Sequence, residues 1–257
     1  PGVSPAAGAP GGRWAPSPAM LTRGPHFFVD PVAGDTAVLR GDDAHHLAAV
    51  LRAGVGDPVS LADGTGAVLQ ARVAALGEEV RLAVGERHDV PAPRPSLTVV
   101  HAMPRGRKLD EVVRRLSEVG VDRLVPARSQ RTQARLDDHR AARATRRWRA
   151  VAEAAGKQSR RARPLRVAGV TGWDQAFDDS TGVTLWEEAR RPLRDVLAGL
   201  ADVEALTLAI GPEGGLTAEE VRAAGLPAVS LGPTLLRTET AALVAVSATL
   251  YALGRLG

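Results

Sequence analysis

Short stretches rich in Val and Leu, separated by turn residues, recur through the first third of the chain. They cover residues 26–30, 36–40, 58–63, 67–76 and 78–86, and this pattern predicts β-strands. The segment Asp63-Gly64-Thr65-Gly66 predicts a hairpin turn between two of them, because Gly accepts positive φ angles. The pattern as a whole predicts a small β-barrel-like module within residues 22–90.

One helical pattern interrupts these strands. We predict a helix over residues 44–52 with Asp42 as its N-cap and with Leu47, Val50 and Leu51 on one face. After the last strand, the segment ERHDVPAPRPS carries three prolines in alternate positions. This composition predicts a stiff, extended linker to a second domain.

From Leu97 onward the hydrophobic period changes. Short, continuous apolar runs alternate with helical patterns, which predicts an α/β layer built on a largely parallel sheet. The predicted strands are residues 97–102, 122–127, 182–186, 205–210 and 228–232, and the predicted helices are 109–119, 138–156, 191–200, 218–224 and 240–253. In such sheets, ligands usually bind beyond the carboxyl ends of the strands.

Composition narrows the functional classes. Apolar residues make up 44% of the 257 positions, which is enough for a hydrophobic core. The absence of cysteine excludes disulfides, zinc–thiolate sites, iron–sulfur clusters and cysteine nucleophiles. The longest apolar run, residues 241–253, is too short to span a bilayer and predicts a buried helix. Residues 1–21 lack the features of a targeting signal and predict a disordered extension on a cytoplasmic protein.

Positive charge is concentrated in one segment. Residues 123–166 hold 13 Arg and one Lys against three acidic residues. A solvated helix face is one reading, but the preponderance of Arg over Lys favours a polyanion, with RNA or DNA as the first candidate. With eight aromatic residues in the chain, we expect contacts to the phosphate backbone rather than stacking. The predicted RNA-binding residues are Arg23, Arg52, Arg105, Arg131, Arg143, Arg147, Lys157, Arg160 and Arg161.

Common nucleotide and metal motifs do not account for the chemistry. The chain has no P-loop motif, and its paired glycines lack the third glycine of a dinucleotide-binding loop. His45 and His46 are adjacent to two Asp residues, but neighbouring side chains on a helix diverge by about 100°. We therefore predict no metal.

Two loops after predicted strands are better candidates. Residues 210–216 read IGPEGGL and precede a capping box, Thr217 to Glu220. Residues 231–241 read LGPTLLRTETA and lead into the most apolar helix, for which we expect Thr238 or Glu239 to cap the first amides. Arg237 is unusual there, because a cation at a helix N-terminus opposes the helix dipole. A salt bridge to Glu239 or Glu213 would explain it, and so would a place at a ligand pocket.

At this point the sequence resembles a known family. IGPEGGLTAEEV followed by LGPTLLRTETAA resembles the signature of the RsmE family, SPOUT-class enzymes that methylate uridine N3 in 16S ribosomal RNA. HHLAAVLRAGVGDPVSLADGTG resembles that family's N-terminal PUA-like barrel, and KLDEVVRRLSEVGVDRLVPARSQRT and EAAGKQSRR resemble its middle segments. Gln130, where members often have an acidic residue, and Glu153, shifted by one position, depart from the pattern.

The resemblance implies a fold, a cofactor and partners. It implies an α/β fold with a PUA-like RNA-binding barrel at residues 22–90 and a SPOUT methyltransferase domain at 91–257 that contains a trefoil knot. It also implies a homodimer that forms through the last helix and acts on 16S rRNA, either naked or within the small subunit. S-adenosylmethionine would bind three loops, through Leu185, Trp186, Glu187, Ile210, Gly211, Pro212, Glu213, Gly214, Gly215, Leu231, Gly232, Leu235, Leu236, Thr238 and Ala241.

The implied chemistry is removal of the uridine imide proton and in-line methyl transfer. We assign Arg237 to stabilise the developing uridine anion and Glu239 to orient Arg237 or border the site, and no base is assigned. The lack of cysteine disfavours methylation at pyrimidine C5, which usually proceeds through a cysteine adduct. A ribose 2′-O-methyltransferase of the same class and a non-catalytic RNA-binding or assembly protein are the alternatives.

Overall fold

The structure is a computed structural model that describes residues 22–132, 137–177, 180–200 and 202–256. The prediction for residues 1–21 lies outside the described residues. The N-terminal part forms a sheet with strand order β1-β3-β4-β5-β2. Its strands are β1 (His26–Phe28), β2 (Thr36–Leu39), β3 (Pro58–Ala62), β4 (Ala67–Ala75) and β5 (Val80–Asp89), as the alternating pattern predicts.

The sheet curls around a core of alternate strand residues. Leu61, Val73 and Leu82 are among the buried side chains of this core. The β3–β4 hairpin is confirmed, and the Asp63 carboxylate accepts backbone N–H bonds from Thr65 and from the two residues that follow it.

Three local predictions for this module are wrong. Helix α1 (Gly41–His45) continues as a π-helical turn, His46–Val50, and its N-cap is Arg40, so Asp42 lies in the first turn. Leu47 is buried, but Val50 and Leu51 are exposed, because the wider turn rotates them away from the core. The first four residues of the predicted linker belong to β5, and the last three of them, Arg87, His88 and Asp89, pair with β4.

The C-terminal part is a parallel sheet with strand order β12-β10-β11-β6-β7-β8, and β9 pairs with β7. The mixed α/β architecture with a parallel sheet is confirmed. Its strands are β6 (Ser96–Ala102), β7 (Arg123–Arg128), β8 (Arg166–Val167), β9 (Thr171–Gly172), β10 (Gly182–Leu185), β11 (Ala205–Ile210) and β12 (Ala228–Val229).

Helices cover both faces of this sheet. They are α2 (Lys108–Val119), α3 (Asp138–Gln158), α4 (Arg194–Leu197), α5 (Ala218–Ala223) and α6 (Thr238–Ala252). Alternate strand residues point to opposite faces, so Leu97 and Val99 join the core under α2, α3 and α6, whereas Val100 joins the core under α5. The capping box of α5 is present as predicted.

The two parts of the chain are joined by buried polar contacts. The His26 ring lies between Ser60 Oγ (2.8 Å) and the Arg161 carbonyl oxygen (3.0 Å). Burial lowers the pKa of His26 to about 4, so the imidazole is neutral near pH 7 and donates one N–H to the carbonyl. Arg160 donates to the carbonyl oxygens of Thr22 and Gly24. These contacts fix the barrel against the end of α3.

Across the described ranges, we find no helix with the length and apolar character needed to cross a bilayer.

Candidate active site

Three loops meet at the carboxyl edge of the parallel sheet, where β12, β10 and β11 lie side by side. The backbone N–H of Trp186, just after β10, donates to the carbonyl oxygen of Val229 at the end of β12 (3.0 Å). The loop after β11 begins at Gly211 on the other side of β10. The parallel strands therefore bring together loops that are far apart in the sequence.

Two glycines in these loops have positive φ angles. Gly215 has φ +71°, and a Cβ atom there would lie 2.0 Å from Glu187 Oε1. The positive φ angle favours Gly here, and its lack of a Cβ lets the Glu187 carboxylate approach the backbone of the loop after β11. Gly232 has φ +132° and open space where a Cβ would project. Its backbone is thus accessible to a ligand.

A buried polar contact ties the last helix to the β11 loop. Thr238 Oγ1 donates to the Gly211 carbonyl oxygen (2.6 Å) and lies 3.4 Å from His101 Nε2. His101 is the last residue but one of β6, and its Nδ1 donates to the Ala102 carbonyl oxygen (2.7 Å). Burial lowers the pKa of His101, which is therefore neutral. The predicted capping role of Thr238 or Glu239 is wrong, because Arg237 is the N-cap and no side chain caps the helix.

The loop residues differ in how deeply they lie. Buried positions are Leu185, Ile210, Pro212 and Thr238, and partly buried ones are Trp186, Gly211, Gly215, Leu231, Leu236 and Ala241. Glu187, Glu213, Gly214 and Gly232 are exposed residues at the rim. Leu235 is 84% exposed and packs into no described core. The structure thus brings the three loops together but leaves this one leucine on the surface.

Comparison with known proteins places this site in a family. A family model described as an RNA methyltransferase domain matches residues 91–250, and one described as an RNA methyltransferase PUA domain matches residues 39–82. The chain belongs to the RNA methyltransferase family. The ribosomal RNA small subunit methyltransferase E of Mycobacterium bovis is 37% identical over 236 residues, 86% of this chain and 89% of that protein. The Bacillus subtilis protein of the same name is 28% identical over 233 residues, 84% and 90% of the two chains.

A solved structure gives the same result. The ribosomal RNA small subunit methyltransferase E of Neisseria gonorrhoeae, bound to S-adenosyl methionine, matches with a TM-score of 0.79 at 27% identity. The match covers 88% of this chain and 97% of that one. The family resemblance seen in the sequence is confirmed.

Arg237, which the sequence predicts to be a catalytic cation, is an exposed residue. Neither expected anion is its partner, because Glu213 lies 2.8 Å from Lys108 Nζ and Glu239 lies 3.8 Å from the same atom. No ion pair joins Arg237 to any described residue. A structural salt bridge within those residues therefore does not explain this arginine.

Lys108 is the site residue that sequence reasoning missed. It begins α2, and its amino group lies between two carboxylates, Glu213 of the loop after β11 and Glu239 of the first turn of α6. The backbone N–H of Arg105 also faces the Glu213 carboxylate, at 3.2 Å. Burial raises the pKa of Glu213, but the hydrogen bonds from Lys108 and the backbone outweigh it and leave the pKa lowered. Glu213 is therefore ionised at neutral pH.

A polar cleft of about 350 Å³ adjoins the β11 loop. Arg131 donates to the Gly214 carbonyl oxygen (2.7 Å) across this cleft. On its other side, the buried Glu220 carboxylate accepts from the Gln130 backbone N–H (2.6 Å) and from the Thr217 N–H (2.9 Å). The loop after β7 is thereby held against the loop after β11, through the backbone of the residue that departs from the family pattern.

Four predicted RNA-binding cations are instead committed to contacts inside the chain. Arg147 pairs with Asp110 (2.9 Å), and Lys157 pairs with Asp43 (2.8 Å). Arg160 bonds the carbonyls already described, and Arg161 donates to the Ser117 carbonyl oxygen and lies 4.0 Å from Asp122. These four cations therefore have partners within the chain, and their assignment to RNA stays a prediction.

The other predicted cations are exposed. They are Arg23, Arg52, Arg105, Arg131 and Arg143. Arg131 at the cleft and Arg105 beside Glu213 lie next to the loop after β11, whereas Arg23 and Arg52 lie on the N-terminal module. Their assignment to RNA stays a prediction.

Two buried polar atoms at the site have no hydrogen-bond partner among the described residues. They are the indole N–H of Trp186 and Oε2 of Glu239. An unpaired buried donor or acceptor costs about 1–3 kcal/mol. Lys108 Nζ lies 3.8 Å from Glu239 Oε2, beyond hydrogen-bond distance, so this carboxylate has a charged partner and can still accept a hydrogen bond. The Trp186 N–H and this oxygen fit a ligand that offers one acceptor and one donor.

Proposed function

We propose that this protein uses S-adenosylmethionine to methylate N3 of a uridine in small-subunit ribosomal RNA. The observation that carries the proposal is the meeting of three strand-end loops at one sheet edge, in a chain that belongs to an RNA methyltransferase family. The names of the relatives and the cofactor bound to the Neisseria protein support the substrate and the cofactor.

The residues present fit that cofactor. Open backbone at Gly232 and the close approach at Gly215 leave room for a ligand to contact main-chain groups. Leu231 and Leu236 offer apolar surface, and the orphan atoms of Trp186 and Glu239 offer one donor and one acceptor. When bound, the cofactor supplies an electrophilic methyl group on a sulfonium.

The protein's contribution is placement and charge stabilisation. Loss of the N3 proton makes the uracil ring anionic, and a preorganised cation in a partly water-excluded site stabilises that charge. Arg237 is suited to this role because its planar guanidinium is exposed at the rim and unpaired within the described residues. Lys108 holds Glu213 and Glu239, so the carboxylates border the site without neutralising Arg237.

We further propose a division of labour between residues 22–90, as a PUA-like RNA-binding module, and residues 91–257, as the catalytic domain. The two family-model matches fall within these limits. A trefoil knot in the catalytic domain is part of the proposal. It is supported by the path of the chain from the sheet edge at β12 back across the sheet to α6, which packs on β11 and α2.

A homodimer is also proposed. Helix α6 is apolar on all sides, and while Ala245 and Leu250 face the core, Val244 and Tyr251 on its other side are exposed. An exposed apolar stripe on a helix is typical of a protein interface. A ribosomal RNA substrate, free or in the assembling subunit, would place the enzyme in the cytoplasm.

The test is methyl transfer from labelled cofactor to transcribed 16S rRNA and to isolated small subunits, followed by nucleoside digestion and mass spectrometry. We expect 3-methyluridine. A 2′-O-methylated nucleoside would show that the target atom is wrong. Cofactor-dependent labelling of neither substrate would refute the enzymatic function.

A further inference from the structure

Helix α3 also carries exposed arginines that differ from the cations with partners inside the chain. Arg143, Arg146 and Arg149 occur at every third position of α3 and are exposed, whereas Ala144 and Trp148 on the opposite face are buried. A spacing of three residues advances about 4.5 Å along a helix and rotates by about 60°. The three guanidinium groups therefore form a slowly winding row on the solvent face of α3, which we call the arginine row.

The helix that carries this row connects two functional regions. It begins after the carboxyl end of β7, where Arg128 lies 3.8 Å from Asp138. It ends before β8, whose Arg166 pairs in register with Arg123 at the start of β7. With 21 residues, α3 spans about 30 Å from the cofactor edge of the sheet to the opposite edge.

At that opposite edge lies a cleft between the two parts of the chain. Its volume is about 700 Å³, and Phe28 and Arg40 line it from the barrel side, while Arg149 and Arg166 line it from the other. Gly156 of α3 lies against the Phe28 ring, where a Cβ atom would come within 3.1 Å. We call this space the module cleft.

Three arginines and three acidic residues line the module cleft, and part of each set is already paired. Lys157 binds Asp43 and Glu153, at 2.8 Å each, and Arg40 pairs with Glu79, which leaves Arg149 and Arg166 against the single carboxylate of Asp30. Within the described ranges, Arg143, Arg146 and Arg166 have no ion-pair partner. Arg149 makes one hydrogen bond, from Nε to the Val167 carbonyl oxygen (3.0 Å), which leaves its outer nitrogens available.

We propose that the arginine row and the module cleft form one binding track for single-stranded substrate RNA, in which the cleft accepts a nucleotide that flanks the target uridine. This rests on the proposed function. The partly buried ring of Phe28 offers a face on which a base stacks, and the guanidinium groups of Arg149 and Arg166 suit phosphate oxygens. The row then leads the strand along α3 toward the cofactor edge.

The shape of the track favours a single strand. A cleft of this volume with an aromatic wall admits an unstacked nucleotide, whereas a duplex presents its bases paired and stacked. The cations lie in a line rather than in a broad patch, which matches a flexible chain of phosphates.

The first test measures the salt dependence of binding to a fluorescein-labelled 15-nucleotide RNA of mixed sequence. Arg146→Ala removes one free cation of the row and touches no described ion pair. We expect the log–log salt slope to fall in magnitude by about 0.7, the value for one phosphate contact on a single strand. The matched control is Arg222→Ala on α5, an exposed arginine on the other face of the sheet. An unchanged slope in Arg146→Ala, or an equal fall in the control, would overturn the row.

The second test addresses the module cleft and uses the natural absence of cysteine. Asp30→Cys places one thiol in the cleft, and Ala223→Cys places one on exposed α5 as the control. With the RNA at ten times its dissociation constant, alkylation in the cleft should slow by about tenfold while the control is unchanged. Equal rates with and without RNA at Asp30→Cys would refute the cleft.

Each variant is first titrated with S-adenosylmethionine to confirm that it is folded and binds cofactor. If methyl transfer to 16S rRNA is normal but neither track readout responds, the track is refuted and the proposed function stands. If the track readouts respond but no RNA is methylated, the RNA contact stands and the proposed function fails.

Discussion

Replacement of Arg237 by Ala separates a catalytic role from a structural one. The structure removes the structural explanation, because Glu213 and Glu239 both face Lys108 and Arg237 is exposed. A cation at a helix N-terminus costs about 0.3–1 kcal/mol. The variant should therefore be as stable as the parent in chemical denaturation, or more stable by a few tenths of a kcal/mol.

The expected effect on the reaction is much larger. If the guanidinium stabilises the uridine anion, its loss removes one preorganised donor, which typically lowers kcat by about 10²–10³, or about 2.7–4 kcal/mol. Affinity for S-adenosylmethionine should change little, since the contact forms mainly in the transition state. Arg237→Lys should restore part of the rate, because a point charge does not reproduce the planar fork.

The assay is single-turnover methyl transfer at saturating cofactor and RNA, normalised to folded protein. Arg222→Ala serves as the control for loss of an exposed arginine that lies outside the three loops. A rate for Arg237→Ala within about threefold of the parent, which is under 1 kcal/mol, would remove Arg237 from the catalytic machinery. A loss of stability above about 1 kcal/mol would contradict the conclusion that Arg237 makes no stabilising ion pair with the described residues.

Three further predictions test other parts of the structure. The pKa of His26 is lowered from 6.5 to about 4, so the unfolded chain binds this proton at a higher pH than the folded chain does. The free energy of unfolding should therefore fall by about 3 kcal/mol between pH 6.5 and 4. Urea titrations at each pH should show a smaller fall for His26→Gln. Gly232→Val forces a branched side chain to φ +132°, so calorimetric titration should show loss of S-adenosylmethionine binding by a folded protein, and normal binding would mean that the pocket is misplaced. Val244→Asp puts a charge on the exposed face of α6 and should convert a dimer to monomers in sedimentation experiments, whereas an unchanged mass would place the interface elsewhere.

The sheet and helices of the catalytic part could be predicted because their periods are distinct. Continuous apolar runs such as that ending at Ile210 become central parallel strands, and the helical periods give α2, α3 and α6 nearly at their observed bounds. The errors fall where periodicity carries no information. A π-helical turn exposes Val50 and Leu51, and no pattern of apolar positions distinguishes that turn from a continued α-helix.

The three loops of the site could be predicted from the sequence, but the ion pairs between them and α2 could not. Each loop follows an apolar strand, and parallel strands bring such loops to one edge. Lys108 was not found, because its partners Glu213 and Glu239 lie more than a hundred residues later and only the tertiary fold connects them. The weak signal was its place at the start of KLDEVVRRL, where a cation at a helix N-terminus is as unusual as Arg237 is.

The arginine-rich segment shows why charge along a sequence does not translate directly into a binding surface. A guanidinium has five N–H donors and can satisfy several carbonyl oxygens at once. Arg163 donates to the carbonyl oxygens of Val90 (2.8 Å) and Pro91 (3.2 Å), and Arg160 bonds two more on the barrel. Arginines at the end of α3 therefore supply donors that fix the barrel, because the connecting backbone has carbonyls without secondary-structure partners.

This use of arginine also shapes the surface that remains. Arg160 and Arg163 bind backbone carbonyls of the N-terminal module, and the module cleft lies between that module and α3. A wall in a fixed position lets a nucleotide bind without first ordering the protein, which reduces the entropy lost on binding. In the proposed track the two groups of arginines have complementary roles. The arginines with partners inside the chain fix the barrel against α3, and the exposed ones would supply the charge that an RNA strand neutralises.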